Sequence, residues 1–128
     1  MKTNLVDANI VIRYLTKDDP NLFIKAKQYF IDAASGKSKI YLDSVTVAEI
    51  VWVLTSFYKY PRINISEPLL KILSQQWVLS DRKSIIISAL TFFATHNFSY
   101  IDCYLHCLAK NKNLSLTTFD KKLSKTVV

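Results

Sequence analysis

Short apolar runs alternate with longer stretches of helical periodicity along nearly the whole chain, and the first junction between the two sets the pattern. Leu5-Val6 runs into Asp7, and a helix-like apolar sequence, Ile10-Val11-Ile12-Arg13-Tyr14-Leu15, follows at once. This reads as a strand that delivers Asp7 to a strand-to-helix turn at the carboxyl edge of a sheet. Open α/β sheets bind their ligands along that edge. The question for the rest of the chain is which other side chains arrive there.

Further strands are expected at Ile40-Tyr41-Leu42, Trp77-Val78-Leu79 and Leu114-Ser115-Leu116, with Val127-Val128 as a terminal edge strand. Between them lie helices. Asp19-Pro20 supplies a cap and a first-turn proline for one that ends near Gly36, the only glycine. Thr46 opens a second, to about Tyr58, and Ser66-Glu67-Pro68 a third, to about Gln76. Ser80 or Asp81 caps a fourth, to about Thr95, and Ser99 a fifth, to about Lys112. A short basic helix follows Asp120. The expected fold is a three-layer α/β/α sandwich with a mostly parallel central sheet, in one domain over residues 1–128. Right-handed crossovers between parallel strands put successive strand ends on one side of the sheet.

Half of the residues are apolar, enough for such a core. No run of about 18 apolar residues lacks charges, and the start of the chain offers no signal segment, so no membrane association and a cytoplasmic location are expected. Cys103 and Cys107 sit one helical turn apart, a poor disulfide geometry, and with His106 they match no zinc spacing well; both read as packed side chains. The 17 Lys and Arg against 10 Asp and Glu give a net charge of +7, which suits a polyanionic partner.

Four acids stand where the strand ends are expected. Asp7 follows the first strand, Glu49 lies early in the helix after the second, Asp102 opens the helix before the fourth, and Asp120 follows the fourth. Carboxylates brought together repel unless a cation neutralises them, and an all-oxygen set suits Mg²⁺ or Mn²⁺. Each acid also has a structural reading. Thr46-x-x-Glu49 is a capping box, and Asp7, Asp102 and Asp120 are placed to favour helix N-termini. Asp18, Asp19, Asp32, Asp43, Glu67 and Asp81 read as caps or solvated surface.

The segments Val6-Asp7-Ala8-Asn9-Ile10, Val47-Ala48-Glu49-Ile50, Tyr100-Ile101-Asp102-Cys103 and Leu116-Thr117-Thr118-Phe119-Asp120-Lys121 together resemble the four acidic motifs of PIN-domain nucleases. Their order and spacing are similar to those of the VapC-like toxin branch of type II toxin-antitoxin systems, over nearly the whole chain. The resemblance implies an endoribonuclease dependent on Mg²⁺ or Mn²⁺, held inactive by a cognate antitoxin and assembled as a toxin homodimer. It implies Asp7, Glu49, Asp102 and Asp120 as metal-binding and catalytic acids, with Asn9 and Thr118 as polar neighbours that orient ligands or water. Three positions depart from the family pattern: Ala8 replaces a common hydroxyl residue, Lys122 stands where some members carry a further acid, and Cys103 replaces a small apolar residue.

Arg13, Lys121, Lys122 and Lys125 lie near these motifs and are candidates to hold RNA phosphates. Other classes fit less well. Asn9 stands where an aspartyl phosphatase would carry its second aspartate, and a receiver domain would need paired acids early. The alternative is a catalytically silent PIN-fold module that binds RNA or protein.

Overall fold

A computed structural model describes residues 1–126. In it, β1 (Lys2–Leu5), β2 (Ser38–Tyr41) and β3 (Val78–Leu79) form a parallel sheet in the order β1-β2-β3. Seven helices accompany these strands among the described residues: α1 (Ala8–Thr16), α2 (Pro20–Ala34), α3 (Ser44–Ser56), α4 (Arg62–Leu73), α5 (Lys83–Thr95), α6 (Tyr100–Lys112) and α7 (Lys121–Ser124). The α/β class with a parallel sheet is as expected. None of these helices is long and apolar enough to cross a membrane.

Register explains which strand residues are buried. Asn4 pairs with Ile40, and Ile40 with Val78, so Ile40 and Val78 point to one face and lie in the core with Val11, Phe30, Leu54 and Leu90. The next row, Leu5, Tyr41 and Leu79, points to the opposite face, where Leu5 and Leu79 are exposed. The ladder of β1 begins upstream of the apolar Leu5-Val6 pair, at Lys2, and runs to Leu5, and Val6 adds one more bond to the Tyr41 carbonyl at 3.2 Å.

Several helix boundaries follow from local caps. Asp19 accepts from the Leu22 amide with Pro20 at the first helical position, and Gly36, at φ 88°, turns the chain from α2 into β2. Ser99 accepts from the Asp102 amide to start α6. Two starts differ from the sequence reading. Helix α3 opens at Ser44 behind an Asp43 cap, so Thr46 and Glu49 lie inside the helix and form no capping box. Helix α4 opens at Arg62 and carries Pro68 in its interior; the buried Ile65, Leu69, Ile72 and Leu73 outweigh the backbone bond that the proline removes.

Asp81 does not cap α5. It accepts instead from the Ser44 amide and hydroxyl, at 3.1 and 3.0 Å, and ties the end of β3 to the start of α3. The expected fourth strand is not formed. Residues 114–118 are irregular and make no ladder, and Leu114 remains exposed, so strand-like composition alone does not make a strand. The expected edge strand at Val127-Val128 lies outside the described residues.

Arg62 clamps the α5–α6 turn. Its Nη1 lies 3.1, 2.8 and 2.6 Å from the carbonyl oxygens of Phe93, His96 and Phe98, and its guanidinium stacks 4.3 Å from the Phe93 ring centroid. Those carbonyls close α5 and lead directly to the Ser99 cap of α6, so one cation satisfies the turn that sets where α6 begins. Asp18 gathers a second cluster: Tyr58 Oη at 2.6 Å, Thr16 Oγ1 at 2.9 Å and Arg13 Nη1 at 3.0 Å all donate to it.

Arg62→Met is expected to lower unfolding free energy by about 2–4 kcal/mol, measured by urea denaturation, because it strands carbonyls at a packed turn. The Tyr58 hydrogen bond, followed by those from Thr16 and Arg13, holds the Asp18 carboxyl down to about 2. A depressed carboxylate stabilises the fold above its unfolded value, near pH 4, and that contribution is lost as pH falls towards 2. Tyr58→Phe should raise the Asp18 titration midpoint in carboxyl-detected NMR and shift acid unfolding to higher pH.

Candidate active site

Parallel register builds the rim on which the candidate site stands. Leu5, Tyr41 and Leu79 are paired in one row, and two residues further along each strand stand Asp7, Asp43 and Asp81. All three carboxylates accept from backbone amides: Asp7 from Ile10 at 3.2 Å, Asp43 from Val45 at 2.9 Å and Asp81 from Ser44. The exposed amides of helix starts thus hold the acids in place. Asp7 and Asp43 line a single hollow of about 600 Å³ with Thr3, Tyr41 and Thr46. Sequence reasoning took Asp43 for a cap, which it is, but missed that it shares this hollow. The signal was present, since each of the three aspartates follows its strand by two residues.

Each acid singled out by the sequence can now be placed. Asp7 caps α1 through Oδ1 and is exposed. Glu49 is exposed on α3, five residues beyond its first residue. Asp102 is half-buried in the first turn of α6. Asp120 is exposed and caps α7, its Oδ1 accepting from the Leu123 amide at 3.0 Å. Among the described residues, the carboxylates of Glu49 and Asp102 accept no hydrogen bond, and none of the four acids is ion-paired; the one salt bridge joins Arg13 to Asp18. Asp7 and Asp120 each keep one oxygen uncommitted. Such a donor set suits a hard divalent cation, which takes carboxylate oxygens singly and fills its shell with water. The packing does not assemble it: no three His, Cys, Asp or Glu side chains among the described residues stand close enough to share an ion.

The neighbouring polar groups divide into committed and free. The Thr118 hydroxyl accepts from the Asp120 amide at 3.1 Å, which steadies the turn before α7. Asn9, in the first turn of α1, is exposed. Arg13 is drawn to Asp18, at the far end of α1 from Asp7. Lys121, Lys122 and Lys125 are exposed around Asp120. Beside the rim, Tyr100 lines a hollow of about 330 Å³ with Ser44, Asp81 and Arg82; its hydroxyl is buried without a partner, and burial pushes its ionisation upward.

Cysteine and histidine take structural places. Cys103 is in the core, and burial pushes its thiol up to about 12; it and Cys107 are both free thiols. His96 and His106 sandwich the Phe92 ring at 3.8 and 4.4 Å between centroids. His106 also meets the Thr126 hydroxyl at 3.0 Å, and burial lowers its pKa, which keeps the ring neutral near pH 7.

Comparison with known proteins agrees with this architecture. The family model described as PIN domain matches residues 5–128. The chain is also similar to a VapC ribonuclease of Aquifex aeolicus (strain VF5), with 20% identity over 122 residues, 94% of this chain and 90% of that protein. No solved structure gives a significant match. The strand-to-helix turn at Asp7, the parallel sheet and a match over almost the entire length lead to one assignment: the chain belongs to the PIN domain family.

Proposed function

We propose that this protein is an endoribonuclease dependent on Mg²⁺ or Mn²⁺, and the toxin of a toxin-antitoxin pair. The observation that carries the reading is the PIN domain match over residues 5–128, a span that holds all four acids. In a chain with 17 Lys and Arg, Asp7, Glu49, Asp102 and Asp120 make no ion pair among the described residues. Each also keeps a carboxylate oxygen free, as a ligand set for a cation requires. The similarity to a VapC ribonuclease supports the same substrate class.

A divalent cation held by these acids would supply an activated water and charge compensation at the scissile phosphate. The chain's own contribution is to fix the acids. Helix N-termini hold Asp7 and Asp120, the Ser99 cap starts the turn that carries Asp102, and α3 carries Glu49. Thr118 steadies Asp120, and Asn9 is the polar group nearest Asp7 along α1. Lys121, Lys122 and Lys125 would hold flanking phosphates, and their charge offsets that of the acids as RNA approaches. Arg13 would join them only after leaving Asp18.

One observation favours a second reading. Since no three potential ligands stand close enough to share an ion among the described residues, a silent module that binds RNA or protein remains the competing function. The assembly we propose is a homodimer through α3 and α6, with a cognate antitoxin as the further partner. Val45 and Trp52 lie exposed on one face of α3, Ile101 and Leu105 on α6, and Val45 and Ile101 line the same hollow. An apolar strip of this kind on a small domain marks a contact surface.

Two measurements test these statements. Asp7→Asn keeps the cap, because asparagine also accepts from the Ile10 amide, but removes the charge. It is expected to fold normally and to cut RNA roughly 100-fold more slowly with Mg²⁺ or Mn²⁺, and EDTA should abolish wild-type cleavage. Cleavage indifferent to both changes would discard the metal-dependent reading, and binding of structured RNAs without any cleavage would favour the silent module. Trp52→Glu should convert a dimer into a monomer in light scattering coupled to gel filtration, with its helical circular dichroism unchanged.

A further inference from the structure

The end of the molecule opposite the acidic rim carries a cavity that the nuclease reading leaves unused. Helix α1 starts at the rim beside Asp7 and runs away from it for nine residues, about 13 Å. Its far end, with the start of α2, the end of α3 and the middle of α4, encloses a space of about 410 Å³. That is the size range of a small-molecule site. Leu54 and Ile72 form a buried floor, and Tyr14, Phe23 and Tyr60 supply aromatic walls. The Tyr14 and Phe23 rings lie nearly parallel, at 11°.

Three lysines reach the same space. Lys17, Lys27 and Lys71 line it, and the ammonium groups of Lys17 and Lys27 stand 5.4 and 5.7 Å from the Phe23 ring centroid. Both lysines are exposed at the mouth of the cavity, and the ring attracts their ammonium groups towards it. None of the three is ion-paired among the described residues; of the acids in the neighbouring segments, Asp18 is held by Arg13 and Tyr58, Asp19 gives one oxygen to the Leu22 amide, and Glu67 stands one helical turn from Lys71 on α4. Lys17 is further fixed by its place at the left-handed C-cap of α1. A concave site with an apolar aromatic wall and concentrated, unneutralised positive charge selects a ligand that is planar at one end and anionic at the other.

We propose that this cavity binds a nucleotide, its base against the aromatic wall and its phosphates among Lys17, Lys27 and Lys71. The shared chemistry is that of a free nucleotide or one unit of a single-stranded RNA, and it is independent of the acidic rim. A hollow of about 410 Å³ is on the scale of one such unit.

Calorimetric titration of the full chain tests the proposal, with ADP, adenosine, inorganic phosphate, a 2′-O-methyl oligonucleotide and poly-glutamate as probes. The expected result is one saturable ADP site, weakened about tenfold or more in Lys17→Ala/Lys27→Ala. Phe23→Leu should weaken ADP while leaving phosphate alone unchanged, and Asp7→Asn should leave ADP binding intact, which separates this site from the proposed nuclease centre. Competition of ADP by the oligonucleotide assigns the site to RNA, and its absence assigns the site to free nucleotide. No saturable ADP binding overturns the proposal. So does binding of phosphate or poly-glutamate as tight as that of ADP, or ADP binding that the lysine substitutions leave unchanged.

Discussion

The in-register pairing of three parallel strands is the constraint from which the candidate site follows. Because the strands run the same way, the pairing that buries Ile40 beside Val78 also sends Asp7, Asp43 and Asp81 out along one rim. Three carboxylates in a row oppose one another, and the structure answers with backbone amides rather than with lysine or arginine side chains. That choice has a chemical consequence. At Asp7 and Asp43 the amide steadies one carboxylate oxygen and leaves the other available, while Asp81 gives both oxygens to Ser44; a salt bridge would occupy the charge that a cation needs.

Most of what was legible in the sequence was local. Asp19-Pro20, Ser99 and the turn into α7 at Asp120 state their roles through side chains within three residues of the amides they bind. What was not legible depended on partners distant along the chain. Asp81 reads as a cap for the helix that follows, but its carboxylate reaches back 37 residues to Ser44. Thr46 and Asp43 are both good caps, and only the fold selects the earlier one. Lys2-Thr3-Asn4 carries no apolar alternation because the buried row of the sheet draws its apolar side chains from β2 and β3. Leu114-Ser115-Leu116 fails in the opposite sense, with a strand's composition and no ladder formed. The acids of the site follow the same division: their types and order were plain from sequence, whereas the sharing of a hollow by Asp7 and Asp43 came only from register.

The basic residues, a weak signal when counted, separate into distinct tasks once placed. Arg62 is internal, spent on the carbonyls between α5 and α6, and Arg13 is spent on Asp18. Lys121, Lys122 and Lys125 surround Asp120, while Lys17, Lys27 and Lys71 gather around aromatic rings at the far end of α1. The net charge of +7 is thus divided between two clusters of exposed lysines, one beside the acids and one remote from them.

The central claim is that Asp7, Glu49, Asp102 and Asp120 act as one cation-binding set. Paramagnetic broadening on Mn²⁺ titration, read residue by residue in the backbone amide NMR spectrum, tests it most directly. The account predicts that, at substoichiometric Mn²⁺, resonances around all four acids broaden first and together, and that excess Mg²⁺ reverses the effect. Broadening confined to one of them, or centred on other carboxylates such as Asp32 and Glu67, would contradict it.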